Sequence, residues 1–329
     1  MNLRLQQTAT VPGARIRGLG SAQPERMVTN EDIAASGVET TDSWIRDRVG
    51  IVERRFAGPD ESLVDMAVDA GAKAIADAGL APSDVDAVVV ATCTMPSPIP
   101  NAAAQTAERI GVTAAPAFDI NAACAGFCYG LGTAADMVRS GSARHVLVIG
   151  AEKLTDWVDP RDRSTCIIFA DGAGAAVVGA ADGGEEAGIG PIVAGSAGDL
   201  ADTIVLTDRS FIFQEGQSVF RWATTKIAPI ALRAVELAGL GPSDVDVLVP
   251  HQANLRIVEA VAKRIRAAGA RDDMVVADDI VHSGNTSSAS IPLALDHMRA
   301  EGRVRSGDVA LLVGFGAGLS YAGQVVVLP

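Results

Sequence analysis

Several short apolar runs in this chain show no polar alternation: Ala87–Ala91, Val247–Val249, Ala143–Gly150, Ala173–Gly179, Val309–Gly314 and Gln324–Leu328. A strand with one wet face alternates, whereas a strand covered on both faces stays apolar throughout, so these runs predict buried strands of a layered sheet. Ala117–Ile120 adds a fourth strand to the first half. Alanine-rich stretches with helical spacing fall between them at Ala70–Ala78, Ala125–Ser140, Ile230–Ala238 and Leu255–Ala268. Strands separated by helices argue for α/β sheets covered on both sides.

The pattern repeats. Ala78–Asp86 reads AGLAPSDVD and Ala238–Asp246 reads AGLGPSDVD, displaced by 160 residues from Gly79 to Gly239 and identical at eight of nine positions. Each copy joins a helical stretch to a buried strand through Gly, Pro, Ser and Asp, the residues of tight turns. A displacement near half of 329 residues predicts two similar α/β halves packed together, with any active site at their seam.

Composition narrows the chemistry. An apolar fraction of 48% supports a large buried core. The first twenty residues hold no signal-peptide run and no later stretch reaches a membrane span, so the expectation is a soluble, cytoplasmic protein. A net charge of −13 repels phosphate backbones and disfavours nucleic-acid binding. An anionic ligand must therefore meet a local basic patch. Cys93, Cys124, Cys128 and Cys166 show neither a disulfide rhythm nor a zinc spacing, so reduced thiols and no metal are expected.

Cys124 lies in FDINAACAGFCYGLG, between a strand and a helix rich in small residues. A helix N-terminus favours the thiolate, and small neighbours admit a bulky thioester. By itself such a cysteine serves packing more often than attack, because free cysteine is among the most buried residue types. Cys128, one turn further on, and Cys93 and Cys166, in apolar surroundings, read as core. In the second half, His251 follows a strand in PHQANLR, and Asn285 precedes a helix in VHSGNTSSASIPLAL.

These three segments, in this order, resemble the signature sites of β-ketoacyl-acyl-carrier-protein synthase III, whose catalytic set is Cys, His and Asn. Trp44-Ile45-Arg46-Asp47-Arg48, DGAGA at Asp171–Ala175 and GFGAG at Gly314–Gly318 extend the likeness from about Arg15 to the C-terminus. The resemblance implies a thiolase-like fold: two pseudo-symmetric halves, residues 1–182 and 183–329, in five αβαβα layers, usually as a homodimer. It also implies an acyltransferase with no permanently bound cofactor. Cys124 would attack an acyl-coenzyme A primer, with backbone N–H groups of Cys124 and Ala317 as the oxyanion hole. His251 and Asn285 would then stabilise the enolate formed when malonyl-acyl-carrier protein loses CO2. Thiolases carry a second cysteine in their C-terminal half, and none follows Cys166; elongating synthases carry two histidines, and Asn285 stands at the second place.

By the same resemblance Trp44, Arg48 and Arg163 would hold the coenzyme A end. The acidic carrier protein would dock on Arg256, Lys263 and Arg264 of an amphipathic helix, joined by Arg221. His282, three residues before Asn285, reads as support for the site, and His145 and His297 as surface or element-end residues. Three departures matter. Ala317 replaces a glycine and needs a torsion that alanine tolerates. Ile99 stands where acetyl-preferring members place a phenylalanine that closes the acyl pocket from the partner subunit. The stretch between Gly195 and Gln217 is short. The last two point to a primer larger than acetyl. A priming synthase of a polyketide pathway and a non-catalytic partner subunit remain as alternatives. A dinucleotide oxidoreductase does not, because GFGAG leads into a strand with no phosphate-facing helix after it.

Overall fold

The computed structural model describes residues 13–181, 183–206 and 211–329. The start of the chain read for a signal peptide, and residue 182 at the expected boundary between halves, lie outside them. The elements that place the site are β1 Ala14–Ala22, α1 Asp42–Val49, α2 Leu63–Asp77, β2 Ala87–Ala91, α3 Ala102–Ile110, β3 Ala117–Ile120, α4 Gly126–Arg139, β4 His145–Lys153 and β5 Asp171–Ala180. They continue with β6 Val193–Ser196, α5 Gly216–Leu237, β7 Val247–Pro250, α6 Leu255–Ala267, β8 Val275–Val276, α7 Ser290–Ala300, β9 Val309–Gly316 and β10 Ser320–Val327.

One five-stranded sheet runs β1-β5-β4-β2-β3 and another runs β6-β10-β9-β7-β8. Their pairing is also alike: β2 is parallel to β3 and β4, β7 is parallel to β8 and β9, and in each sheet the two remaining strands join antiparallel. Helices α2 and α3 cover the outer face of the first sheet, α5 and α6 that of the second, and α4 and α7 lie between the sheets. The five αβαβα layers are thus present.

Burial explains the unbroken apolar runs. In β2, Val89 faces the central layer with Phe127, Leu131, Ile291 and Leu295, while its neighbours Val88 and Val90 face α2 with Met66, Ala70 and Ile75. In β7, Val249 faces the centre and Leu248 faces Ile227 and Ile265. Both side-chain sets of each strand leave water, so neither can be polar.

The repeated nonapeptide does one job twice. Gly79 and Gly239 take the left-handed backbone (φ 68° and 76°) that ends the preceding helix. Asp84 and Asp244 then accept from the backbone N–H of Ala81 and Gly241 at 2.8 and 2.7 Å. Asp86 accepts from the N–H of Arg144 and His145, and Asp246 from that of Val309, so each copy pins its strand to the start of the neighbouring strand.

Several elements depart from the pattern, β1 and the end of β4 among them. β1 was not expected, because arginines and glycines interrupt it. Gly18 and Gly20 are needed there, since a Cβ would lie 2.5 Å from backbone atoms of α2. β4 extends past the apolar run to Lys153, and this polar end carries Glu152 into the site. No helix among the described residues is long and apolar enough to cross a membrane.

Candidate active site

A cavity of about 1210 Å³ opens where the two sheets meet, lined by residues of both halves. Cys124, His251, Asn285 and Ala317 all line it, although up to 193 residues separate them in sequence.

Cys124 is held by a tight passage from β3 into α4. Ala123 has φ 45°, a left-handed conformation costly for a residue with a Cβ, and a single 3₁₀ turn at Ala123–Ala125 leads into the helix. Gly316 at the end of β9 packs against it, where a Cβ would sit 2.8 Å from Cys124 Cβ and N. Burial pushes the Cys124 thiol up to about 12; the Ser287 hydroxyl opposes this shift and the Glu152 charge adds to it. The expected thiolate is therefore not the resting form, because desolvation outweighs the helix N-terminus. Alkylation by iodoacetamide is expected to accelerate about tenfold per pH unit from pH 6 to 9 without a plateau, and a plateau near pH 7 in a stopped-time mass assay would contradict a high thiol pKa.

His251 is 1% exposed and lies edge-on to Phe315, with ring centroids 5.2 Å apart. Burial pulls its imidazole down to about 3, so it is neutral at physiological pH. Nδ1 lies 2.7 Å from Ser290 Oγ, which also accepts from the N–H of Gln252 at 3.3 Å. In the tautomer protonated at Nε2, Nδ1 accepts from the Ser290 hydroxyl and the Nε2 hydrogen is the one left to donate to a ligand.

Asn285 is fixed on three sides. Its N–H donates to Ile168 O at 2.9 Å, its carbonyl accepts from Ala170 N at 2.9 Å, and its Oδ1 accepts from Ser287 N at 2.9 Å. With Oδ1 occupied by the backbone, the Nδ2 amide is the group left to donate to a ligand. Ser287 itself has φ 51°. Ala317 does not fall in the left-handed region, which is taken by Gly318 at φ 125°, so alanine is tolerated there.

The mouth is basic. Arg48, Arg163, Arg221 and Arg256 line the cavity, and no Asp or Glu is among its described lining residues. The guanidinium carbons of Arg163 and Arg48 lie 4.6 and 5.4 Å from the centroid of the Trp44 ring, and that of Arg256 lies 5.2 Å from Phe220. In a chain of charge −13, this patch is a local concentration of positive charge of the kind that an anionic ligand would need. Lys263 and Arg264 are exposed on α6 but do not line the cavity. Leu154, Phe169, Ile204, Leu206 and Ile212 give the interior an apolar wall, and Ile99, 81% exposed, lies outside the cavity of its own chain.

Two further expectations need correction. Cys93 is not core: it lines the cavity with Sγ 3.5 Å from Glu152 Oε1. His282 does not support the site; it is 68% exposed, lies 3.4 Å from Glu53 and lines a separate small pocket with His297. Glu152, Ser287, Ser290 and Phe315 were not singled out in sequence. Ser287, Ser290 and Phe315 lie inside quoted motifs, which was their only signal, and Glu152 had none. None of the four cysteines is paired, and no cluster of metal-ligating side chains occurs among the described residues.

Known proteins bear on this geometry. Residues 118–198 match the 3-oxoacyl-(acyl-carrier-protein) synthase III family and residues 235–328 match its C-terminal family. The chain is 53% identical to β-ketoacyl-acyl-carrier-protein synthase III 4 of Streptomyces coelicolor over 96% of this chain and 99% of that one. It is 48% identical to the mycobacterial β-ketoacyl-acyl-carrier-protein synthase III of Mycolicibacterium paratuberculosis, over 99% of both chains. Among solved structures it resembles the priming β-ketosynthase of a polyketide biosynthetic pathway (TM-score 0.93, 42% identity, 100% and 99% coverage). The synthase III of Aquifex aeolicus is similar as well (TM-score 0.90, 37% identity, 96% and 100% coverage). The fold is thiolase-like, and the chain belongs to the 3-oxoacyl-(acyl-carrier-protein) synthase III family of condensing acyltransferases.

Proposed function

We propose that this protein condenses an acyl-coenzyme A primer with malonyl-acyl-carrier protein, giving β-ketoacyl-acyl-carrier protein, CO2 and free coenzyme A. The observation that carries this reading is the meeting of Cys124, His251 and Asn285 in one cavity whose mouth is ringed by arginines. The primer's adenine end lies at Trp44, Arg48 and Arg163, where planar cations and an indole suit a nucleotide. Its acyl chain enters the apolar wall, which Ile99 of a second copy completes in a homodimer. Cys124 sulfur attacks the thioester carbon, the oxyanion rests on the N–H groups of Cys124 and Ala317, and the thiol proton ends on the departing coenzyme A sulfur.

The carrier protein docks on Arg221 and Arg256, with Lys263 and Arg264 further along α6. When the malonyl group loses CO2, the electron pair passes into an enolate whose oxygen accepts from His251 Nε2 and Asn285 Nδ2. A neutral histidine is suited to that task, because decarboxylation requires a donor at the oxygen and no base. The enolate carbon attacks the acyl-enzyme and Cys124 leaves, taking up a proton. The reading places the protein in the cytoplasm, away from membranes and nucleic acids, without a resident cofactor, and divides it at residues 1–182 and 183–329.

The similarity to a priming β-ketosynthase favours a second reading in which the product primes a polyketide. Intact-mass spectrometry tests both. Incubation with a panel of acyl-coenzyme A thioesters is expected to give one acyl adduct per chain that malonyl-acyl-carrier protein then discharges. An adduct that persists, or no adduct with any thioester, would overturn the condensation reading. Equal adducts from acetyl-, isobutyryl- and hexanoyl-coenzyme A would overturn the preference for a larger primer.

A further inference from the structure

Glu152 is fully buried, and among the described residues no cation pairs with it. A lone interior carboxylate is costly unless donors surround it. Here they do, from two segments. Thr94 Oγ1 at 2.6 Å, Cys93 N at 3.1 Å and Thr92 Oγ1 at 3.2 Å donate to Oε2, all from the loop that leaves β2. Ser287 Oγ donates to Oε1 at 3.0 Å, and Ser288 Oγ shares its one hydrogen between Oε1 at 2.8 Å and Ala91 O at 2.9 Å, both from the turn that precedes α7 in the other half. The carboxylate thus joins the ends of the first sheet to a turn of the second half, across the seam in which the cavity lies.

Ser287 is the residue whose backbone N–H holds Asn285 Oδ1, and it does so from a left-handed conformation that needs support. We propose that Glu152 is a positioning residue for the decarboxylation half-reaction: by anchoring the Ser287–Ser288 turn it holds the Asn285 amide with Nδ2 aimed at the enolate oxygen. This rests on the function proposed above. A residue that merely supports the fold would affect both half-reactions alike, whereas the backbone N–H of Ser287 holds Asn285; the Ser287 hydroxyl also faces Cys124, where it favours the thiolate. The charge of Glu152 also opposes ionisation of Cys124, so its loss does not slow acylation.

The test separates the half-reactions in Glu152→Gln, Ser287→Ala and the double variant of the full-length protein. Acylation is followed by intact mass with an acyl-coenzyme A, and decarboxylation by CO2 release from malonyl-acyl-carrier protein. Glu152→Gln keeps the shape but exchanges charge-assisted bonds for neutral ones, and is expected to slow CO2 release about tenfold. Acylation should be unchanged or faster, and the double variant should release CO2 no more slowly than Ser287→Ala. An equal fall in both half-reactions, unaltered CO2 release in Glu152→Gln, or additive losses in the double variant would each overturn the assignment. Failure of the wild type to acylate or to release CO2 would instead sink the proposed function.

Discussion

Cys124→Ala is expected to form no acyl adduct with any thioester and to make no β-ketoacyl product, while still releasing CO2 from malonyl-acyl-carrier protein. The adduct is lost because, of the three other cysteines, Cys128 and Cys166 are buried in apolar surroundings. Cys93, which does line the cavity, has its thiol raised well above the ordinary range by burial and by Glu152. None can replace the nucleophile. CO2 release survives because the donors to the enolate, His251 and Asn285, are untouched, and the enolate takes a proton in place of an acyl group. The expected product is acetyl-acyl-carrier protein, visible by mass. An adduct on the alanine variant would place the nucleophile elsewhere.

His251→Ala and Asn285→Ala are expected to show the converse. Each should still acylate on Cys124, and each should lose about 10²- to 10³-fold in CO2 release and in condensation, the usual cost of removing one donor aimed at a developing oxyanion. The double variant should lose little more than the worse single one, because both donors serve one oxygen and act as a unit. Since burial holds the His251 pKa near 3, the imidazole is neutral across pH 5 to 9, and the CO2-release profile should show no limb near pH 6.5. A limb there that disappears in His251→Ala would mean that the histidine works as a proton carrier. Loss of acylation together with decarboxylation in Asn285→Ala would mean that the amide serves the first step.

Much of this was legible in sequence, for local reasons. The strand Ala87–Ala91 and the helix at Gly126–Arg139 follow from runs whose periodicity burial enforces, so pattern and element coincide to within a residue or two. The nonapeptide was readable as a duplication because its Gly, Pro and Asp each satisfy a fixed backbone requirement twice. Cys124, His251 and Asn285 stood out because the motifs around them resemble, in order, the signature sites of a known family.

What stayed hidden lies in groups whose meaning depends on partners far along the chain. Glu152 follows an apolar strand and reads as its polar end; only folding brings Ser287 and Ser288, more than 130 residues away, onto its carboxylate. Cys93 looked like core for the same reason, as apolar neighbours in sequence do not say that the next layer leaves a cavity beside it. The expected thiolate failed because a helix N-terminus can be read from sequence but desolvation cannot. Sequence by itself determined most of the strands and the turn chemistry, which rest on periodicity and local backbone demands, and its resemblance to a known family named the candidate reacting side chains. Tertiary structure alone decided the protonation states of Cys124 and His251 and the hydrogen bonds that aim Asn285, because burial and contacts between the halves exist only once the layers have closed.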